Sequence, residues 1–340
     1  MIVVLLAVAP LVSLLLTGLL RRYALQRQLL DIPNARSSHT QPTPRGGGVA
    51  IVVTFMACLA CLALLGQLSM THALGLFGAG GLVAWVGFLD DHGHLAARWR
   101  LAAHFVAAFW ALAWIDYMPS IEVFGTVFDA GYAGYAIASL YLVWMLNLYN
   151  FMDGIDGIAS VEAICVAGGG ALLYGLLDLH TEAVTPMLLA AAVAGFLVWN
   201  FPPARIFMGD AGSGFLGLSL GILSLQAAAA QPRLLWSWLI LLGVFIVDAT
   251  WTLFRRLLRG DKLYEAHRSH AYQYASRRFG RHLPVTLSVL AINICWLLPI
   301  ALGVGLGGVD GALGIAIAYV PLIILAGYFR AGAPEQPTQG

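Results

Sequence analysis

The sequence predicts an all-α, polytopic integral membrane protein, and three observations carry that prediction. The 340 residues are 60% hydrophobic and only 10% charged, whereas a soluble domain carries about 25% charged residues. Apolar runs recur near the ~20-residue length that crosses a bilayer as a helix. The runs do not alternate in polarity as barrel strands would, and helices satisfy their own backbone groups in lipid. Finally, the residues with chemical potential fall in alternate loops: Asp90-Asp91, Asn147 to Asp156, Arg205 to Ser213, and His267 to Gln273. Alternate loops of a membrane protein share one face. The pattern therefore predicts one polar reaction surface on one side.

Spans are expected near 2–20, 47–66, 72–89, 100–116, 134–149, 158–177, 184–199, 213–230, 235–254, 284–303 and 311–329, eleven in all. The first run has no basic region before it and is followed by Arg21-Arg22. A cleavable signal peptide has the reverse order, so residues 1–20 read as a retained span with the N-terminus outside. Lys and Arg concentrate in short cytoplasmic loops. With that orientation Arg21, Arg22, Arg27, Arg36, Arg45, Arg98, Arg100, Arg205 and the run from Arg255 to Arg281 all fall inside, and Arg233 is the exception among 18 basic residues. The C-terminus is then cytoplasmic. Residues 1–330 read as a single transmembrane domain and 331–340 as a disordered tail. The outside loop 117–133 contains Ile121 to Phe128, which could form a small hairpin.

Two function classes are excluded early. A net charge of +1 gives no global field to recruit nucleic acid. Cys58 and Cys61 form a C-x-x-C with no second pair, inside an apolar run, and read as small lipid-buried residues rather than a metal or redox pair.

Five constellations remain. Asp90-Asp91 ends span three, where adjacent carboxylates repel each other and meet the negative end of the helix dipole. A nearby cation would relieve both problems. Asn147, Asn150, Asp153 and Asp156 recur every three residues, a spacing that shares a face on a helix. Oxygen donors at this density suit a hard cation such as Mg²⁺. Gly209-Asp210-Ala211-Gly212-Ser213 resembles an anion nest at a helix N-terminus, although Asp or Ser would also serve there as a plain cap. His267-Arg268-Ser269-His270-Ala271-Tyr272-Gln273 lacks zinc spacing and suits anion recognition. Asp31 to Gly48, with Arg45 and three glycines, feeds span two and is not a Walker A loop. Together these parts suit magnesium-assisted phosphoryl transfer.

The motifs Asp90-Asp91, Asn147-x-x-Asn150-Phe-Met-Asp153-Gly-Ile-Asp156-Gly and Phe207-Met-Gly-Asp210-Ala-Gly-Ser213, with the Pro33 to Gly48 loop, resemble the polyprenyl-phosphate N-acetylhexosamine-1-phosphate transferases of the WecA, MraY and WbpL types (glycosyltransferase family 4). The resemblance spans residues 1 to about 330. It implies an enzyme of the bacterial inner membrane with its active site on the cytoplasmic face. The implied reaction moves a sugar-1-phosphate from a UDP-sugar to undecaprenyl phosphate, releases UMP, and uses Mg²⁺ or Mn²⁺. Asp210 matches the principal metal ligand and Asn150 a second one. Asp90 and Asp91 match the pair that places or deprotonates the lipid phosphate. Asp153 and Asp156 fall where the family contacts the nucleotide and orders the site, and Asn147 is expected among the substrate-binding residues. Arg100 stands where many members carry Lys near the lipid phosphate, and Arg45 lies in the matching first loop. His267, Arg268 and His270 replace a histidine-rich run. That form is similar to the O-antigen-initiating, WbpL-like branch, whose sugar is an N-acetylhexosamine or a deoxy-aminohexose.

The alternative within the family is a peptidoglycan, enterobacterial-common-antigen or teichoic-acid member using UDP-GlcNAc or UDP-MurNAc-pentapeptide. The alternative outside it is a transporter, but transporters place ionisable groups near the bilayer midplane, and here they sit at one surface. Membrane lipid is an implied partner, nucleic acid is not, and a homodimer is compatible with this reading.

Overall fold

A computed structural model describes residues 1–33, 38–93, 95–115, 118, 120–261 and 267–334. The fold is mostly helical: α1 (Ile2–Gln26), α2 (Val49–Leu64), α3 (Met70–His92), α4 (Ala97–Ala113), α5 (Gly131–Met152), α6 (Ile158–Leu176), α7 (His180–Asn200), α8 (Asp210–Ala230), α9 (Leu234–Leu241), α10 (Gly243–Leu258), α11 (Ala271–Phe279), α12 (Leu283–Ile292), α13 (Leu298–Gly305) and α14 (Gly311–Tyr328). A π-helical turn, Asn293–Leu297, joins α12 to α13. Two small antiparallel hairpins complete the described residues: β1 (Leu30–Asp31) with β2 (Thr43–Pro44), and β3 (Ile121–Val123) with β4 (Thr126–Phe128). The second is the hairpin expected at residues 121–128.

Every expected apolar segment falls on a helix. Seven described helices are long and apolar enough to cross a membrane, or eight if the bent pair α9 and α10 is one span. The larger expected count includes three marginal elements. Helix α2 has 16 residues. Helix α4 has 17 and carries Arg98 and Arg100. Helix α5 is diluted by four tyrosines and two asparagines. The sequence also gave no sign that α9 and α10 meet at a 72° bend.

Helix α8 is the axis of the molecule. Every residue from Ala211 to Leu225 is buried, packed between α3 and α5. This closeness requires small residues. A Cβ on Gly87 of α3 would lie 2.5 Å from the backbone nitrogen of Ala211. The backbones thus meet directly at the end of the bundle that carries the polar loops.

One sequence expectation needs adjustment. Residues 331–334, expected to be disordered, are bound: Arg255 and Arg259 donate to the carbonyls of Ala331 (2.7 Å) and Gly332 (2.6 Å), and Gly332 N donates to Ser269 O (2.7 Å). The remainder of that tail, and Arg36, lie outside the described residues.

Candidate active site

The alternate loops converge at one end of the bundle. The segment leading into α2 lies along the segment leading into α8: Phe207 N donates to Pro44 O (2.8 Å), Gly47 N to Phe207 O (2.9 Å) and Gly48 N to Met208 O (2.8 Å). This pairing brings Arg45 beside the start of α8, where Arg45 donates to Asp91 Oδ1 at 2.6 Å.

Gly209 precedes α8 with φ +78°, and a Cβ there would press on Asp91 Oδ2. The space belongs to the Asp91 carboxylate, which reaches across from α3. Oδ1 accepts from Asp210 N at 3.1 Å and Oδ2 from Ala211 N at 3.4 Å. The next two amides, of Gly212 and Ser213, both donate to Gly209 O at 3.1 Å. All four N–H groups of the first turn are therefore satisfied within the protein. The expected phosphate nest at residues 209–213 is filled by Asp91, because a buried carboxylate next to a helix N-terminus is itself the favoured anion.

Asp90 and Asp91 part company here. The Asp91 side chain is 3% exposed and holds α8 together with Arg45. Asp90 accepts from Leu95 N at 2.8 Å and pairs with Arg100. Arg100 in turn lies 3.6 Å from Asp210 Oδ2. Burial alone would lower the pKa of Arg45, but Asp91 and Asp210 more than offset it and keep its guanidinium charged.

A cavity of about 390 Å³ opens beside these groups, lined by Arg45, Asn150, Asp153, Asp156 and Asp210, with Asn200, Gln273 and His282. Asn150 Oδ1 accepts from Ser213 Oγ at 3.0 Å, which ties α5 to α8. Burial, followed by the nearby carboxylates of Asp210, Asp91 and Asp156, pushes the Asp153 carboxyl well above the usual carboxylate range. Asp156 is a latch. Its carboxylate accepts from Ala204 N at 3.0 Å and faces His282 Nδ1 at 3.1 Å, while its carbonyl accepts from Thr286 Oγ1 at 2.8 Å. Burial draws His282 down, but the Asp156 carboxylate outweighs it and raises the imidazole above its ordinary value. A second chamber of about 560 Å³ adjoins the first, sharing Ser38, His39, Asp156, Phe207 and His282, and reaches Arg281.

Four predicted residues lie elsewhere. Asn147 is one turn deeper in α5 and donates to Val143 O at 2.7 Å. The three-residue spacing fails because α5 ends at Met152, so only Asn150, Asp153 and Asp156 reach the cavity. His267, Arg268 and His270 do not line it either. His270 is 2% exposed, beneath α11. His267 bonds Ser269 Oγ at 2.9 Å, and burial, with His270 and Arg256 nearby, lowers its pKa to about 3. Of that run, Gln273 reaches the cavity.

A sequence model of glycosyl transferase family 4 matches residues 73–228, a range that holds Asp90, Asp91, Asn150, Asp153, Asp156 and Asp210. The decaprenyl-phosphate N-acetylglucosaminephosphotransferase of Mycolicibacterium smegmatis is 30% identical over 366 residues, covering 95% of this chain and 88% of its own. The chain belongs to glycosyl transferase family 4. A probable undecaprenyl-phosphate N-acetylglucosaminyl 1-phosphate transferase of Bacillus subtilis is 28% identical over 308 residues, 86% of this chain and 81% of that protein. A phospho-N-acetylmuramoyl-pentapeptide-transferase of Bacillus licheniformis is 29% identical over 220 residues, 61% and 66% respectively.

Two cavity residues of this family member escaped the sequence reading. Asn200 ends α7; its Oδ1 accepts from Gly157 N (3.1 Å) and its amide donates to Ile206 O (3.0 Å). A polar residue at a span end reads as an ordinary cap, so nothing marked it. His282 stands 126 residues after Asp156, and no local spacing could pair them.

Proposed function

We propose that this protein transfers an N-acetylhexosamine-1-phosphate from a UDP-sugar to a polyprenyl phosphate and releases UMP. The observation that carries the reading is the convergence of Asp210, Asn150, Asp153, Asp156 and Arg45, from three loops and the helix ends beside them, around one cavity at the end of an apolar bundle. The two adjoining chambers fit the ~300–1,000 Å³ range of small-molecule sites and suit a two-part ligand such as a nucleotide sugar. The near-full-length relatives favour N-acetylglucosamine as the sugar. The site opens to the cytoplasm of the bacterial inner membrane in an eleven-span topology; the Lys and Arg distribution supports this orientation.

The residues fit a divalent cation. Asp210 and Asn150 offer hard oxygens, and the crowding of carboxylates around Asp153 is relieved by positive charge. Asp210 and Asn150 would hold Mg²⁺ or Mn²⁺. When bound, the metal supplies charge neutralisation at the donor diphosphate. The rest falls to the protein. Arg100, steadied by Asp90, faces the lipid phosphate. A phosphate monoester has its second pKa near ~6, so the nucleophile needs no base. Its oxygen attacks the β-phosphorus in line, the bond from that phosphorus to the bridging oxygen breaks, and UMP leaves with the electron pair. Asp90 and Asp91 therefore act by placement: Asp90 fixes Arg100, and Asp91 fixes α8 and Arg45.

An O-antigen, deoxy-aminohexose reading rests on the His267 to Gln273 run. The burial of His270 leaves that run little contact with a sugar in the cavity. Radiolabelled UDP-N-acetylglucosamine and polyprenyl phosphate, given to purified protein, should yield organic-extractable label and UMP in equal amounts. Release of UDP in place of UMP would refute phosphosugar transfer. A panel of UDP-sugars ranks the donors.

A further inference from the structure

We infer that Asp248 is a positioning residue that docks α11 onto the reactive turn and thereby sets Gln273 at the cavity. Asp248 lies in α10, 6% exposed, within an otherwise apolar stretch. Its carboxylate reaches the N-terminus of α11, which follows the long loop. Oδ1 accepts from Ala271 N at 2.8 Å and Oδ2 from Tyr272 N at 3.0 Å. Thr252 Oγ1 donates to Oδ1 at 3.2 Å, and His270 Nδ1 lies 3.4 Å from the same oxygen. The amides of Gln273 and Tyr274 return to His270 O at 3.2 and 3.1 Å. The amides of the first turn of α11 are thus satisfied, and among the described residues those of Ala271 and Tyr272 find their partner outside α11 in Asp248. A buried carboxylate on helix amides is a charge-assisted bond with the dipole in its favour.

What α11 carries makes this matter. The Tyr272 hydroxyl donates to Phe151 O at 2.9 Å, the end of α5 that bears Asn150 and Asp153. The same hydroxyl packs against Gly154, where any Cβ would collide with it. The rings of His270 and Phe151 stack at 6.4 Å. One residue on, Gln273 accepts from His270 N at 3.2 Å and lines the cavity. A helix of nine residues is too short to hold itself in water, so its placement depends on these contacts. Loss of the Asp248 carboxylate leaves two amides without partners and loosens α11 from the turn that carries Asn150 and Asp153.

The inference rests on the transferase reading only for its kinetic arm. Full-length Asp248→Ala and Asp248→Asn are compared with wild type in detergent, by steady-state kinetics with UDP-N-acetylglucosamine and by limited trypsin digestion. Asp248→Ala should raise the KM for this donor about tenfold or more, the scale of a misplaced contact, with the KM for polyprenyl phosphate unchanged. Trypsin should cut it after Arg277 or Arg278, within α11, under conditions where wild type is protected. Asp248→Asn keeps an acceptor oxygen and should recover most of both properties. Wild-type protection with an unchanged donor KM in Asp248→Ala would overturn the inference. So would equal losses toward both substrates with Asp248→Asn no better than Asp248→Ala. If wild type releases no UMP while Asp248→Ala still exposes α11 to trypsin, the transferase reading fails and the docking by Asp248 stands.

Discussion

Asp91 and Asp248 perform the same physical task at two places in the molecule. Each is a buried carboxylate on one helix that satisfies the first two amides of another, α8 in one case and α11 in the other. Their settings differ. Helix α8 is buried along its length and meets α3 backbone to backbone at Gly87. Helix α11 is short and is held by side chains, those of Asp248 and Tyr272. The first clamp sits in a frame that cannot give, whereas the second holds a piece that can move. Helix α8 carries Asp210, the group nearest the proposed metal, and α11 carries Gln273 at the cavity wall. The fully buried helix thus carries the carboxylate at the cavity, and the side-chain-docked helix carries the amide.

The comparison can be broken or sharpened by experiment. The largest effect is expected from Asp210→Ala. UMP release should fall about 10³-fold, the loss of several kcal/mol of charge stabilisation. The thermal midpoint should not drop, because one of four crowded carboxylates has gone. A parallel fall in the midpoint would make Asp210 structural and erase the distinction from Asp91.

Asp91→Ala should act in the opposite sense, chiefly on stability. Removing one partner of a buried ion pair costs about 3–5 kcal/mol, and the solvent that reaches Arg45 reduces this. Asp91→Asn should lose less, since one acceptor oxygen remains. Thermal unfolding in detergent reads both.

A pair of glycine substitutions tests frame against docked piece. Gly87→Ala drives a Cβ to 2.5 Å from the Ala211 nitrogen, and backbone cannot swing aside. It should cost at least the ~1–3 kcal/mol typical of overpacking. Gly154→Ala meets only the end of the Tyr272 side chain. It should leave the midpoint nearly unchanged and raise the donor KM several-fold. Equal midpoint losses would show that α11 is as rigidly held as α8.

The smallest effect concerns the His282–Asp156 latch. The folded pKa of His282 lies above its unfolded value of ~6.5. Its contribution is fully present below ~6.5 and is lost as pH rises through the raised folded value. Unfolding midpoints should decline over that window, and His282→Gln should flatten the decline.

The sequence by itself determined the helical membrane architecture, since long apolar runs in lipid have no other way to satisfy their backbone. It also marked Asp90, Asn150, Asp153, Asp156 and Asp210, because hard oxygen donors packed into short polar loops stand out against an apolar background. Only the tertiary structure decided what each does. It separated Asp91 from Asp90, filled the supposed anion nest with a carboxylate, withdrew Asn147 and His270 from the cavity, and supplied Asn200 and His282. It also revealed Asp248, a lone acid in an apolar run, as the partner of a helix start 23 residues away. The reason is physical. Local spacing fixes which side chains share a helix face, but the end of a helix is satisfied by whichever group the packing of other helices brings to it.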